Sequence, residues 1–129
     1  MARYPGIRHR PDGIITLSSS AIVAVETERS MKTRARYISI INSHLAASNA
    51  GRWHYAMYVM PDDKKKESLV RLFDSIRTVV RNSVPVSFDA KNREMFLFRT
   101  LDELENSVSD KQGAPSSSVG DDAGRERHV

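Results

Sequence analysis

Two short apolar stretches near the start of the chain are separated by turn-forming residues. Residues 13–17 are β-branched and extended, and the denser stretch 21–25 runs on into Glu26 and Glu28. The serines at 18–20 lie between them, a composition typical of a turn. The pattern therefore predicts a β-hairpin.

Apolar side chains then recur three or four positions apart, which indicates one face of a helix. The helix is expected to end near Ser48, because Asn49 and Gly51 follow as stop signals. Its apolar face consists of Ala35, Ile38, Ile41 and Leu45.

The most apolar stretch, residues 53–60, predicts a central strand that is closed by Pro61 and Asp62. Asp62 or Asp63 is expected to cap the helix that follows, because that segment carries an apolar stripe. The stripe comprises Leu69, Leu72, Phe73, Ile76, Val79 and Val80.

Two further strands are expected at residues 84–88 and 95–99, followed by a short helix. Thr100 is its predicted N-cap, with Glu103 completing a capping box. This order of elements predicts an α/β or α+β domain with a mixed central sheet flanked by helices. The strand after a crossover helix should run parallel to the strand before it.

The chain divides into two parts by composition. Residues 1–108 read as one domain, and 129 residues in total suffice for one modest core. Residues 109–129 are rich in Ser, Gly, Asp and Pro and have almost no large apolar side chain. Such a segment buries too little surface to offset its ordering entropy, so it is expected to be a disordered C-terminal tail.

Composition and charge narrow the function classes. The chain has no cysteine, which excludes disulfides, thiolate metal sites and a cysteine nucleophile. The net charge is +4, and because the tail carries −1, the remainder carries +5. This weakly favours an acidic partner such as DNA. No apolar stretch is long enough to span a membrane and no signal peptide is visible, so a cytoplasmic location is expected.

Three carboxylates and a lysine form the candidate site. Glu26 and Glu28 are two apart on a strand and share a face, and hairpin pairing brings Asp12 beside them. Converging carboxylates repel one another unless a cation joins them, and hard oxygen ligands suit Mg²⁺ or Mn²⁺. Lys32, one helical turn later, can return over the site.

An ordinary structural role, without any part in function, remains an alternative for each of these residues. Glu28 and Lys32 have the spacing of an exposed helical salt bridge. Glu26 and Glu28 could be solvent-facing residues at a strand end, and Asp12 could belong only to a turn. The joint pattern favours phosphodiester cleavage, in which a metal neutralises the phosphate and polarises water while Lys32 stabilises developing charge.

Pro11-Asp12, Glu26-x-Glu28 and Lys32 resemble the motif of the PD-(D/E)xK nuclease-like superfamily. The wider strings RPDGII, VAVETERSMKTRARY and YAMYVMPD resemble the nuclease-like domain of MobC-type plasmid mobilisation relaxases and replication-relaxation proteins. The common superfamily motif has lysine where Glu28 stands here, so Lys32 takes that role.

The resemblance implies a restriction-endonuclease-like core and a metal-dependent relaxase that nicks one DNA strand at a plasmid transfer origin. It implies Asp12, Glu26 and Glu28 as metal ligands and catalytic residues, and Lys32 as the catalytic lysine. DNA is the implied partner, together with other plasmid mobilisation proteins.

Other polar residues add less. Arg10, Arg34 and Arg36 are candidate contacts to the DNA backbone, although a basic solvated surface explains Arg34 and Arg36 equally well. Tyr37 has the spacing of a packing residue, and His9 and His44 suggest a loop residue and a structural residue respectively. Two alternative functions remain: a non-catalytic DNA-binding or interaction module with the same fold, and a restriction or repair nuclease.

Overall fold

The computed structural model describes residues 9–113, and their side chains as far as residue 107. A four-stranded mixed sheet, flanked by helices, forms the centre of an α/β fold, as the sequence predicts. The strands are β1 (Gly13–Thr16), β2 (Ile22–Thr27), β3 (Tyr55–Met60), β4 (Thr78–Arg81), β5 (Val84–Ser87) and β6 (Phe96–Thr100). The helices are α1 (Arg34–Asn49), α2 (Asp63–Asp74), α3 (Ala90–Arg93) and α4 (Leu101–Gly113).

The predicted hairpin is confirmed. Strands β1 and β2 are antiparallel, with Gly13 opposite Val25. The serine turn closes through a hydrogen bond of 2.8 Å from the Leu17 amide to the Ala21 carbonyl. Ser20 adopts a positive φ of 76° to complete it. The turn fixes the register, and the register decides which side chains of β2 face inward.

Helix α1 connects two parallel strands. The Thr33 hydroxyl caps its N-terminus by accepting from the Arg36 amide at 3.2 Å. The helix ends at Asn49, and Gly51 follows with a φ of 75°, which favours glycine. Strand β3 then pairs parallel with β2, and β6 pairs parallel with β3. The sheet order is therefore β1-β2-β3-β6, and the expected parallel crossover is confirmed.

The apolar stripe predicted for α2 extends to Val80, which lies beyond the observed end of the helix. The Asp62 carboxylate caps the helix by accepting from the Lys65 amide at 2.8 Å, but the helix ends at Asp74. Val79 and Val80 lie instead in β4, which pairs with β5 in a separate hairpin. The β-branched residues there favour an extended backbone. The hairpin packs along α1, where the Val80 amide donates to Asn42 Oδ1 at 2.8 Å.

The capping box at the end of β6 is confirmed in both directions. The Thr100 amide donates to Glu103 Oε1 at 2.8 Å, and the Glu103 amide donates to Thr100 Oγ1 at 3.1 Å. Helix α4 continues to Gly113, beyond the predicted domain boundary at residue 108. The rest of the predicted tail, residues 114–129, lies outside the described residues.

The core lies between the sheet and the helices, and aromatic rings dominate it. Phe73 of α2 is fully buried and makes ring contacts with five neighbours. Those neighbours are Tyr37, Tyr58, Phe88, Phe96 and Phe98. Within residues 9–113, none of the helices is both long and apolar enough to cross a membrane.

Candidate functional site

Two buried glutamates mark the inward face of β2 where the strand ends. Ala24, Glu26 and Glu28 alternate with Val25 and Thr27, and both glutamates are only 5% exposed. The ladder continues one residue past the strand, because the Glu28 amide donates to the Val59 carbonyl at 3.0 Å. Burying two carboxylates side by side is costly unless each finds donors or a cation.

Glu26 finds its donors in two histidines. His44 Nε2 lies 2.8 Å and His9 Nε2 lies 2.6 Å from the same carboxylate oxygen, Oε2. Burial by itself raises the pKa of Glu26, but the hydrogen bonds from His44 and His9 outweigh it and lower that pKa. Glu26 is therefore held in its ionised form.

The two histidines reach Glu26 from different elements. His44 lies on the inner face of α1 and is fully buried, among the rings of Trp53, Tyr58 and Phe96. His9 precedes β1, and its side chain is 21% exposed. Its backbone amide donates to Ser43 Oγ at 3.3 Å, which ties this segment to α1. A third link extends inward, since Trp53 Nε1 donates to His44 Nδ1 at 3.1 Å.

Glu28 is neutralised by a cation of the chain itself. Lys32 Nζ lies 2.8 Å from Oε1 and 2.7 Å from Oε2 of Glu28. Lys32 lies in the loop before α1, which begins at Arg34, so the expectation that it lies on the helix is wrong. The loop turns back because the Lys32 amide donates to the Tyr37 hydroxyl at 3.1 Å.

Two buried tyrosines complete the surroundings of the glutamates. Burial raises the pKa of Tyr37 to about 12, and the nearby Glu28 adds to this effect. Tyr58 stands opposite Glu26 in the β2–β3 register, and burial together with the charges of Glu26 and Glu28 raises its pKa well above the usual range. The Tyr58 hydroxyl is buried and has no hydrogen-bond partner among residues 9–113. An unpaired hydroxyl beside two carboxylates is an unusual feature that calls for an explanation.

Asp12 is bound elsewhere. Its Oδ2 accepts from the Thr27 amide at 2.7 Å and from Thr27 Oγ1 at 3.0 Å. Thr27 is exposed and alternates with the two glutamates, so its side chain lies on the other face of the sheet. Asp12 thus closes the end of the hairpin instead of joining Glu26 and Glu28.

A different group of side chains has the spacing of a metal site. Among the described residues, the ligand atoms of His9, Glu26 and His44 lie within 4.8 Å of one another. Of the predicted metal ligands, only Glu26 belongs to this group. The sequence suggested a structural role for His44, and for His9 it favoured a loop residue without a role over a contact with substrate or metal. The available signal for His44 was its position three residues after Ile41, on the buried face of α1.

The three arginines predicted to contact DNA differ in whether their side chains are seen to bind other residues of the chain. Arg10 and Arg36 are exposed. The guanidinium group of Arg34 instead donates to Ser75 at the end of α2, with Nη2 lying 2.9 Å from the carbonyl oxygen. Arg34 therefore joins two helices in this structure.

No protein-family model matches this chain, and neither a curated protein nor a solved structure matches it.

Proposed function

We propose that this chain is a divalent-metal-dependent nuclease domain that nicks one strand of DNA. One observation carries the proposal: two buried carboxylates share a face at the end of β2, with a lysine ammonium group at 2.7 Å from one of them. Carboxylates, a cation and a lysine at one point are the groups that phosphodiester cleavage requires.

The position of the site in the sheet supports this function. Ligands of open α/β sheets bind beyond the carboxyl ends of the strands, which is where Glu28 lies. Arg29 and Lys32 follow β2, and lysines 64–66 follow the neighbouring strand β3. Lys66 Nζ bonds Glu103 at 2.9 Å, which places the first turns of α2 and α4 at the same edge. Basic side chains gathered there would attract DNA phosphates.

The donor set fits a hard cation at Glu26 and Glu28. Both groups offer carboxylate oxygens, the ligands that Mg²⁺ and Mn²⁺ prefer, and Glu28 already binds a cation, the ammonium of Lys32. The unpaired Tyr58 hydroxyl supports a polar ligand at the same place. Asp12 is not included, because Thr27 binds its carboxylate.

Each residue then has a part in the reaction. A bound Mg²⁺ or Mn²⁺ would supply Lewis-acid charge and a water of lowered pKa. Lys32 would neutralise negative charge that develops on the phosphate. His9 and His44 keep Glu26 ionised. Nicking at a plasmid transfer origin, together with other mobilisation proteins in the cytoplasm, is a finer proposal that rests on the sequence resemblance alone.

A second candidate is a non-catalytic DNA-binding or interaction module with the same fold. The observation that favours it is that all four predicted catalytic side chains already have protein partners. Asp12 binds Thr27, Glu26 binds two histidines, and Glu28 binds Lys32. A restriction or repair nuclease would share the proposed site and differ in its substrate.

The test is nicking of supercoiled plasmid DNA in the presence of Mn²⁺. We expect open circles with the wild type, and loss of the product with Glu26→Gln, Glu28→Gln or Lys32→Met. Lys91→Met is the matched control, because Lys91 is an exposed lysine of α3, which precedes β6 and is not among the basic residues that follow β2 and β3. Asp12→Asn should retain more activity than either glutamate variant.

Calorimetry separates the two candidates. Heat of Mn²⁺ binding that disappears in Glu28→Gln supports the nuclease. Salt-sensitive DNA binding with neither Mn²⁺ heat nor nicking would replace the nuclease with the non-catalytic module.

A further inference from the structure

The side chain of His44 links Trp53 to Glu26, and the direction of its two hydrogen bonds is determined. The indole Nε1–H of Trp53 can only donate, so His44 Nδ1, at 3.1 Å, must accept and carries no proton. The proton of a neutral imidazole is then on Nε2, which donates to Glu26 Oε2 at 2.8 Å. Turning the ring over would replace both nitrogen contacts with carbon atoms and lose both bonds.

This tautomer argues against a metal ion at His9, Glu26 and His44, although their ligand atoms lie within 4.8 Å of one another. A metal on Nε2 needs the lone pair of that atom and leaves the proton on Nδ1. Two N–H groups, those of Trp53 and His44, would then face each other. Histidine ligands normally donate from their second nitrogen to an acceptor, and an indole is not one.

We infer that Trp53 and His44 are positioning residues for Glu26, and that His44 donates a hydrogen bond to Glu26 and does not itself coordinate a metal ion. Trp53 fixes the His44 tautomer, and His44 fixes the carboxylate through Oε2. His9 binds the same oxygen from the other side at 2.6 Å. Both histidines contact Oε2 and not Oε1. Oε1 is therefore the oxygen through which Glu26 can bind a ligand.

The buried surroundings suit a rigid linkage. Trp53 is 3% exposed and His44 is fully buried, so water does not compete for these hydrogen bonds. Aromatic rings surround the imidazole, among them Phe96 at 5.8 Å and Trp53 at 5.7 Å between centroids. They leave His44 little room for another orientation.

The tautomer is tested directly, on the wild-type chain, by nitrogen-15 NMR of the histidine rings. We expect His44 to be neutral with its proton on Nε2, and its ring signals to stay unchanged when Zn²⁺ is added. A proton on Nδ1, or a His44 ring that binds Zn²⁺, would overturn the inference. This measurement needs no variant and does not depend on nuclease activity.

The positioning role rests on the proposed function and has its own test. Trp53→Phe removes the N–H and keeps an aromatic ring, so we expect the His44 tautomer to become mixed. Mn²⁺ affinity should fall about tenfold or more, as for other groups that orient metal ligands. Tyr55→Phe is the control, since Tyr55 is an exposed aromatic residue on the face of β3 opposite to the buried Tyr58.

The possible failures are distinguishable. If wild-type chain has the Nε2–H tautomer but does not bind Mn²⁺, the proposed nuclease fails and the hydrogen-bonded group stands. If Mn²⁺ binds the wild type and Trp53→Phe with equal affinity, the positioning role is wrong and the nuclease proposal is untouched. A fall in Mn²⁺ affinity in Trp53→Phe alone supports both.

Discussion

Glu26 and Glu28 lie two residues apart on one strand, with the same exposure of 5%, yet they are neutralised in different ways. Glu26 accepts hydrogen bonds from two imidazoles, one of which is fully buried and itself bound to Trp53. Glu28 binds a flexible ammonium group whose side chain is 34% exposed. One carboxylate is therefore fixed from within the core, and the other is held from the surface.

This difference suits the two carboxylates to different tasks: Glu26 keeps a fixed orientation, and Glu28 can exchange its partner. A carboxylate bound by a rigid imidazole keeps one orientation, because neither partner can move without losing other contacts. A carboxylate bound by a lysine can release it, since the lysine can be solvated outside the site. We therefore expect Glu26 to be the stable anchor of the site and Glu28 to be the residue at which an incoming cation replaces Lys32.

His44→Ala should have the largest effect on stability. It removes one of the two histidines that bind the buried Glu26 carboxylate, leaves the Trp53 N–H without its acceptor, and opens a cavity in the core. We expect a loss of roughly 3–5 kcal/mol in the free energy of unfolding by urea denaturation. The control is His54→Ala, which removes an exposed imidazole that accepts from the Ile22 amide at 2.9 Å. Equal losses in the two variants would mean that Glu26 does not depend on His44.

Lys32→Met should have a smaller effect. Glu28 loses its cation, but Lys32 is about one third exposed and solvent screens the pair, so we expect a loss of roughly 1–3 kcal/mol. Removing one Glu28 partner should also make added Mn²⁺ more stabilising than in the wild type. Lys91→Met, the same change at an exposed lysine, should stay within about 0.5 kcal/mol of the wild type. A Lys32→Met loss above that of His44→Ala would reverse the comparison.

Alkaline pH reports on the Glu28 side of the site. The pKa of Tyr37 is raised to about 12, so the folded state keeps the phenol neutral after the unfolded chain has begun to ionise near the ordinary tyrosine pKa of 10. The corresponding stability is complete below pH 10 and is lost as the pH rises from about 10 to 12. Ultraviolet absorbance of tyrosinate should show late ionisation of both Tyr37 and Tyr58, and in Tyr37→Phe only the ionisation of Tyr58 should remain. Ionisation of Tyr37 at an ordinary pKa would contradict its burial beside Glu28.

Tyr58→Phe should have the smallest effect. The hydroxyl is buried without a partner, so its removal costs no hydrogen bond, and stability should stay unchanged or rise by about 1 kcal/mol. Tyr37→Phe is the counterpart, because its hydroxyl accepts from the Lys32 amide, and we expect a loss of about 1 kcal/mol there. Thermal unfolding of both variants checks this. A clear loss in Tyr58→Phe would indicate a polar partner for that hydroxyl.

Local signals in the sequence determined most of the fold. The serine turn, the Asp62 cap and the Thr100–Glu103 box each act over three or four residues, and all occur as predicted. The end of α2 was missed, because Val79 and Val80 fit a helical stripe as well as they fit a strand. Their pairing with β5 and packing on α1 decided the matter, and neither contact is visible in the local pattern.

The candidate site, like the fold, was predictable from the sequence only in part. That Glu26 and Glu28 share a face followed from the two-residue period of a strand, and their spacing to Lys32 indicated the ion pair. Only the tertiary structure decided that Asp12 binds Thr27, that His9 and His44 reach Glu26, and that Trp53 binds His44. The two histidines are separated from Glu26 by 17 and 18 residues, and the three residues come from three different segments. Periodicity gives the direction of a side chain within one element, whereas the packing of elements against one another decides what that side chain meets.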